Sequence, residues 1–142
     1  MKKLFLIAVV GVCASLGALA DGWDFFSLSF MPGVPSDSAL RTVCGVKIGA
    51  PISTGTAPVY GVEAAVFWAG TDEVDGIQCS FIGTKGKAVS GLQFAIINIA
   101  DSMAGLQLGI VNVADTESFQ IGLINVIKDS PIPFLPIINA RF

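Results

Sequence analysis

The chain has 142 residues, of which 53% are hydrophobic and only 13% charged, and its formal net charge is −3. An acidic chain lacks the basic footprint that nucleic acid demands, so nucleic acid is excluded as a partner. The sequence holds no histidine, which removes the commonest general base and metal ligand, and with it serine–histidine and cysteine–histidine catalysis.

Residues 1–20 read as a secretory signal peptide. Lys2 and Lys3 form a basic start, Leu4 to Val12 is an uncharged apolar run, and Ala18-Leu19-Ala20 is a small-x-small cleavage site. The apolar run falls short of the roughly 20 residues a spanning helix needs. Residues 21–142 are then a single domain by length, with six basic against eleven acidic residues and a net charge of −5.

After cleavage the first element is Asp24 to Phe30 (DFFSLSF), whose alternation predicts a strand. From about residue 45 to residue 128 one short phrase is then written six times: GVKIGAPI, GVEAAVFW, GIQCSFIG, GLQFAIIN, GLQLGIVN and FQIGLIN. Its third column holds Lys47, Glu63, Gln78, Gln93, Gln107 and Gln120, spaced by 13 to 16 residues. Such a period is the signature of a repeat architecture. Within one phrase the residues divide by parity. Gln107, Gly109 and Val111 share one face, and Leu106, Leu108 and Ile110 the other. A period of two predicts strands with one aliphatic face and one small or polar face. Glycine at every second or fourth place argues against helix, since each costs about 1 kcal/mol relative to alanine.

The charges fall between phrases, as in Asp72-Glu73-x-Asp75, Lys85 to Lys87, Asp101, Asp115 and Lys128; only Lys47 and Glu63 lie within one. Stretches such as Ala100-Asp101-Ser102 have hairpin length. Phe134 to Phe142 (FLPIINARF) supplies a last strand ending in Phe142, although Pro133 and Pro136 interrupt it. Six repeats and two flanking strands make eight.

The expected fold is therefore all-β: an antiparallel up-and-down meander closed into an eight-stranded barrel. Aliphatic side chains would face lipid, and the glutamine column would fill a narrow lumen. Gln93 would then oppose Gly109, and Lys47 would pair with Glu63 inside. The alternative is a parallel β-solenoid with one coil per ~14-residue repeat, stacking Gln78, Gln93, Gln107 and Gln120 as one ladder and Asn98, Asn112 and Asn125 as another. Cys44 and Cys79, two strand spacings or about 9.6 Å apart, are expected to stay unbridged.

The copies GLQFAIINIADSMA and GLQLGIVNVADTES, with the closing FQIGLINVIKDSPIPFLPIINARF, resemble a family of bacterial exported surface-repeat proteins built on tandem G-[LIV]-Q-[LIV]-G-[LIV]-x-N units. The resemblance implies an outer-membrane or cell-surface address. It implies no activity and no catalytic residues. The terminal Phe142, with Phe134, Ile138 and Ala140 on its alternating face, resembles the aromatic signal by which outer-membrane barrels are assembled.

No other motif carries chemistry. Gly83-Thr84-Lys85-Gly86-Lys87 lacks the spacing and the following Ser/Thr of a phosphate-binding loop and reads as a hairpin corner. Asp72-Glu73-x-Asp75 reads as a solvated turn rather than a calcium loop. The expected function is that of an exported, non-enzymatic envelope protein, with no catalytic residue, cofactor or metal. Its partner would be outer-membrane lipid, or, for a soluble periplasmic or secreted solenoid, a glycan or another protein.

Overall fold

The computed structural model describes residues 23–30 and 40–141. The expected signal peptide and Phe142 lie outside them. Eleven strands follow one another, with no helix among the described residues: β1 (Trp23–Ser29), β2 (Thr42–Gly49), β3 (Ile52–Gly55), β4 (Val59–Ala65), β5 (Trp68–Thr71), β6 (Glu73–Ser80), β7 (Gly83–Phe94), β8 (Ile97–Leu108), β9 (Val111–Ala114), β10 (Ser118–Ile127) and β11 (Phe134–Arg141).

Strand direction overturns the barrel. Pairings from β1 through β10 are parallel, and only β11 runs antiparallel to its neighbour β10. Gln93 therefore stands beside Gln107, not opposite Gly109. The chain is a β-solenoid, the alternative that the repeat columns allow. The physical reason lies in the amides. A meander would place each buried glutamine against a glycine or alanine, leaving its donors unmet, and a buried unmet amide is costly. Parallel stacking at about 4.8 Å places identical amides within hydrogen-bond reach of each other.

Each coil has three short sides. The first carries Val43, Val59, Val74, Val89 and Met103 inward, and with Ala100 and Ala114 they form the apolar core. The second carries the Lys47-to-Gln120 column, in register across consecutive coils. The third carries Ser53, Ala69, Thr84, Asn98, Asn112 and Asn125 inward, again in register. The inside-and-outside division expected from parity holds along the second side but not past the corner, where Asn112 is buried and Val111, expected beside Gln107, faces outward; the wall is a coil rather than a cask. The supposed hairpin corner Gly83-Thr84-Lys85-Gly86-Lys87 is instead the third side of a coil and part of β7. Likewise Asp101 lies within β8, at a turning point of the coil rather than in a hairpin.

Three kinds of corner join the sides. Between the first and second sides stand Gly45, Gly61, Gly76, Gly91 and Gly105, all with φ between +125° and +149°. Side chains rarely adopt that backbone. A Cβ on Gly76 would also meet the carbonyl oxygen of Gly61 in the coil before. Each glycine thus lets two successive coils close on one another at the corner. The last coil has Ser118 where the earlier ones have glycine.

The antiparallel β11 ends the stack. It places Asn139 beside Gln120 and Ile138 beside Ile121, and Pro136 lies within it, as suits an edge strand. The β1 strand covers the other end, with Ser27 beside Lys47. Cys44 and Cys79 stand in different columns, beside Tyr60 and Ala64 respectively, and no disulfide joins them.

Gly76→Ala is expected to lower the unfolding free energy by about 3 kcal/mol or more, since backbone strain and overlap with the coil before act together. Urea denaturation of the variant measures this, and an unchanged midpoint would refute the close approach at that corner.

Candidate functional site

The residues singled out by the repeat, Lys47, Glu63, Gln78, Gln93, Gln107 and Gln120, come together as one column, each at most 1% exposed. Each glutamine spends both amide hydrogens. One goes along the column: Gln78 Nε2 donates to Glu63 Oε2 at 2.8 Å, Gln93 to Gln78 Oε1 at 2.8 Å, Gln107 to Gln93 Oε1 at 2.7 Å and Gln120 to Gln107 Oε1 at 2.7 Å. The other crosses the coil to a carbonyl of the third side, on Lys85, Ile99, Val113 and Val126 respectively, at 3.0–3.4 Å. Because a carbonyl can only accept, that second bond fixes which end of each amide is nitrogen.

The column therefore has a direction, with every donor aimed toward Glu63. A chain of donors must end on a group that only accepts, and an ionised carboxylate is such a group. Glu63 also accepts from Ser53 Oγ and Thr71 Oγ1, each at 2.5 Å. Lys47 lies one coil further on, its Nζ 3.8 Å from Glu63 Oε1, donating to Thr71 Oγ1 at 2.9 Å and to the Thr54 carbonyl at 3.0 Å. The internal pairing of these two charges, expected from sequence, is present. At the other end Gln120 Oε1 is buried without a partner among the described residues.

The asparagine column runs the opposite way. Asn98 Nδ2 donates to Asn112 Oδ1 and Asn112 Nδ2 to Asn125 Oδ1, both at 2.8 Å. Thr84 Oγ1 starts the series by donating to Asn98 Oδ1 at 2.7 Å. The same nitrogens also hold the carbonyls of Leu108 and Ile121, which precede the turn into the third side. Apart from Gln120 Oε1, both columns thus satisfy themselves and their own backbone. None of these donors is left to face a ligand, so the repeat columns are scaffold rather than site.

The surface is where the coils differ from an ordinary soluble protein. The corner between the second and third sides carries Phe67, Ile82, Ile96, Ile110 and Leu123, aligned by the register of the strands that follow them. They are 39–67% exposed. Phe94, Ile121 and Ile124 extend the apolar surface onto the flanks. The charges gather at another corner. There Asp72, Lys87, Asp101, Asp115 and Lys128 align, with Lys87 Nζ 2.8 Å from Asp72 Oδ2 and Lys128 Nζ 2.7 Å from Asp115 Oδ1. Those hydrogen bonds raise both lysines above their ordinary value. Asp72, read from sequence as part of a solvated turn, is thus an ion-pair partner. The outward first side mixes small residues with acidic ones and with Tyr60, and a shallow hollow of about 240 Å³ there is bordered by Tyr60, Asp75 and Ser90. Among the described residues, no cluster of three or more His, Cys, Asp or Glu could hold a metal.

Sequence reading missed the apolar corner as a feature in its own right. Its signal was present as pairs of adjacent apolar residues, Val66-Phe67 and Phe81-Ile82, which break the period of two because both members of the turn point outward. The chain matches no protein-family model, no curated protein and no solved structure.

Two measurements check the buried column. Gln93→Leu leaves Gln78 Oε1, the Gln107 amide and the Ile99 carbonyl short of partners, and is expected to cost about 2–4 kcal/mol. Gln120→Leu, which removes an oxygen that already lacks a partner, should cost about half as much; equal losses in urea denaturation would refute the direction of the column.

The charged end makes a sharper case. Breaking a buried pair on one side strands the other charge. Glu63→Gln alone should therefore cost about 3 kcal/mol or more, while Lys47→Gln with Glu63→Gln, which extends the amide series, should fall within about 1 kcal/mol of the parent. Burial holds Lys47 below its ordinary value of 10.5, partly opposed by Glu63. The folded chain thus binds fewer protons than the unfolded chain between that lowered value and 10.5, and stability rises with pH across that window. The double variant should lose this rise, as pH-dependent unfolding would show.

Proposed function

We propose that the chain is an exported, non-enzymatic interaction module: a short β-solenoid that meets a protein partner through its apolar corner. The observation that carries this reading is the separation of the surface, with large apolar side chains along one corner and ion pairs along another. Exposed apolar surface of that extent marks an interaction site in a folded protein. The resemblance to surface-repeat proteins supports the envelope address.

The chemistry of the corner selects among partners. A glycan is recognised through hydrogen bonds as much as through stacking, and Ile82, Ile96, Ile110 and Leu123 offer no side-chain donor or acceptor. Lipid was the partner required by a barrel, whose apolar belt encircles the molecule. Here the exposed large apolar side chains run along a corner and its flanks and onto the end strands β1 and β11, while another corner carries ion pairs. A protein surface, itself apolar at its centre with a polar rim, suits that pattern best.

The test is a photo-reactive residue placed at Ile82 on the apolar corner, or at Ser90 on the first side, in the cells that make the protein. Irradiation should yield a protein adduct of discrete mass from position 82 and none from position 90. Adducts from position 90 alone, or none from position 82, would overturn the reading.

A further inference from the structure

The apolar corner is not uniform along the coils, and the difference has a consequence for what can dock there. Register aligns Ala65 with Ser80 on the second side and Trp68 with Gly83 on the third. Two residues turn each of these corners: Val66-Phe67 and Phe81-Ile82. In the later coils Phe94 aligns with Leu108 and Ile97 with Val111. Only Ile96 and Ile110 then stand where the earlier coils have two residues, after Ala95 and Gly109, which are the counterparts of Ser80. Val66 and Phe81 are therefore extra residues, and they project: Phe81 is 70% exposed. Just beyond them, where the extra residue is missing, lies an apolar hollow of about 310 Å³ bordered by Phe81, Phe94, Ala95, Ile96, Gly109 and Ile110. One face thus carries a raised half followed by a recessed half.

A face with a projection on one side of a midpoint and a recess on the other is complementary to itself turned through a half rotation. In a twofold contact residue i meets j while j meets i, so a single such face supplies both halves of the fit. We propose that a second copy of this chain is the partner, docked through the apolar corner. The two copies run antiparallel about a twofold axis perpendicular to the coil axis, and Phe81 of each seats in the Ala95–Gly109 hollow of the other. The corner and its flanks carry ten large apolar side chains, Val66 and Phe81 among them, that are 38–70% exposed, and a standard stable interface draws about 800 Å² from each partner. The charge distribution agrees: each copy of this acidic chain keeps its Asp72-to-Lys128 corner away from the contact, so like charges are not brought together.

This proposal rests on the reading of the apolar corner as a protein-binding surface, and the experiment separates the two. Sedimentation equilibrium of the protein, purified as its producing cell processes it, should give a dimer at micromolar concentration. Phe81→Asp should weaken dimerisation at least 100-fold with an unchanged far-ultraviolet spectrum. Ile110→Asp, on the opposite wall of the hollow, should do the same and guards against a folding defect in one variant. Adducts from position 82 should have twice the mass of the chain. A monomer at 100 µM, or a dimer indifferent to both substitutions, overturns the proposal. If position 82 then gives adducts of another mass, the second copy fails while the protein-binding reading stands. If the monomer instead floats with phosphatidylcholine vesicles and gives no protein adduct, both fail, and the corner faces lipid.

Discussion

The hydrogen bond between one glutamine amide and the next is the constraint on which this molecule depends. An amide buried in a protein must place two hydrogens and an oxygen, and few neighbours can meet all three. A copy of itself one strand spacing away, with a backbone carbonyl across the coil, does so. That solution exists only if neighbouring segments run in the same sense and in register. Chain direction, coil length and repeat spacing follow from a side chain rather than from the backbone. The apolar core alone, a file of valines and one methionine with two alanines beside it, would not single out this register, because a valine packs against almost any apolar neighbour.

The direction of the column explains its irregular end. Lysine and glutamate in place of glutamine look from sequence like decay of the repeat. In the fold they are its termination: Glu63 accepts what the last donor gives, and Lys47 answers the charge that results. The asparagine file runs the other way, so the amide dipoles of the two files oppose one another within the same narrow interior.

Much of this was legible before any coordinates. Past the corner Val111 faces outward and Asn112 is buried, but along the second side the parity of Gln107 against Leu106 and Leu108 separates inside from outside correctly, because the alternation of a strand is the same in any sheet. For the same reason it is silent about strand direction, and the barrel and the coil share one pattern. The deciding signal was the identity of the columns. Gln above Gln and Asn above Asn is wasteful in a meander and necessary in a stack. Hairpins were inferred at Gly83 to Lys87 and at Asp101 because short polar stretches usually reverse a chain. Here they bend it by only part of a turn, and Thr84 is buried there as the first donor of the asparagine file. The step at Val66 and Phe81 could be counted in the repeat spacing, which shortens from 16 to 13 residues along the chain. Its meaning depends on knowing which side of the coil the surplus residue occupies.

Because every coil touches only the coil on either side of it, nothing in the interior counts how many there are. The acid at one end and the closing antiparallel strand at the other set the boundaries, and the copies between them share one interior. A duplication or loss of one whole phrase in the gene would leave both ends intact and, for the interior, alter only the height of the column. Stature, in this architecture, can drift without passing through an unfolded intermediate sequence.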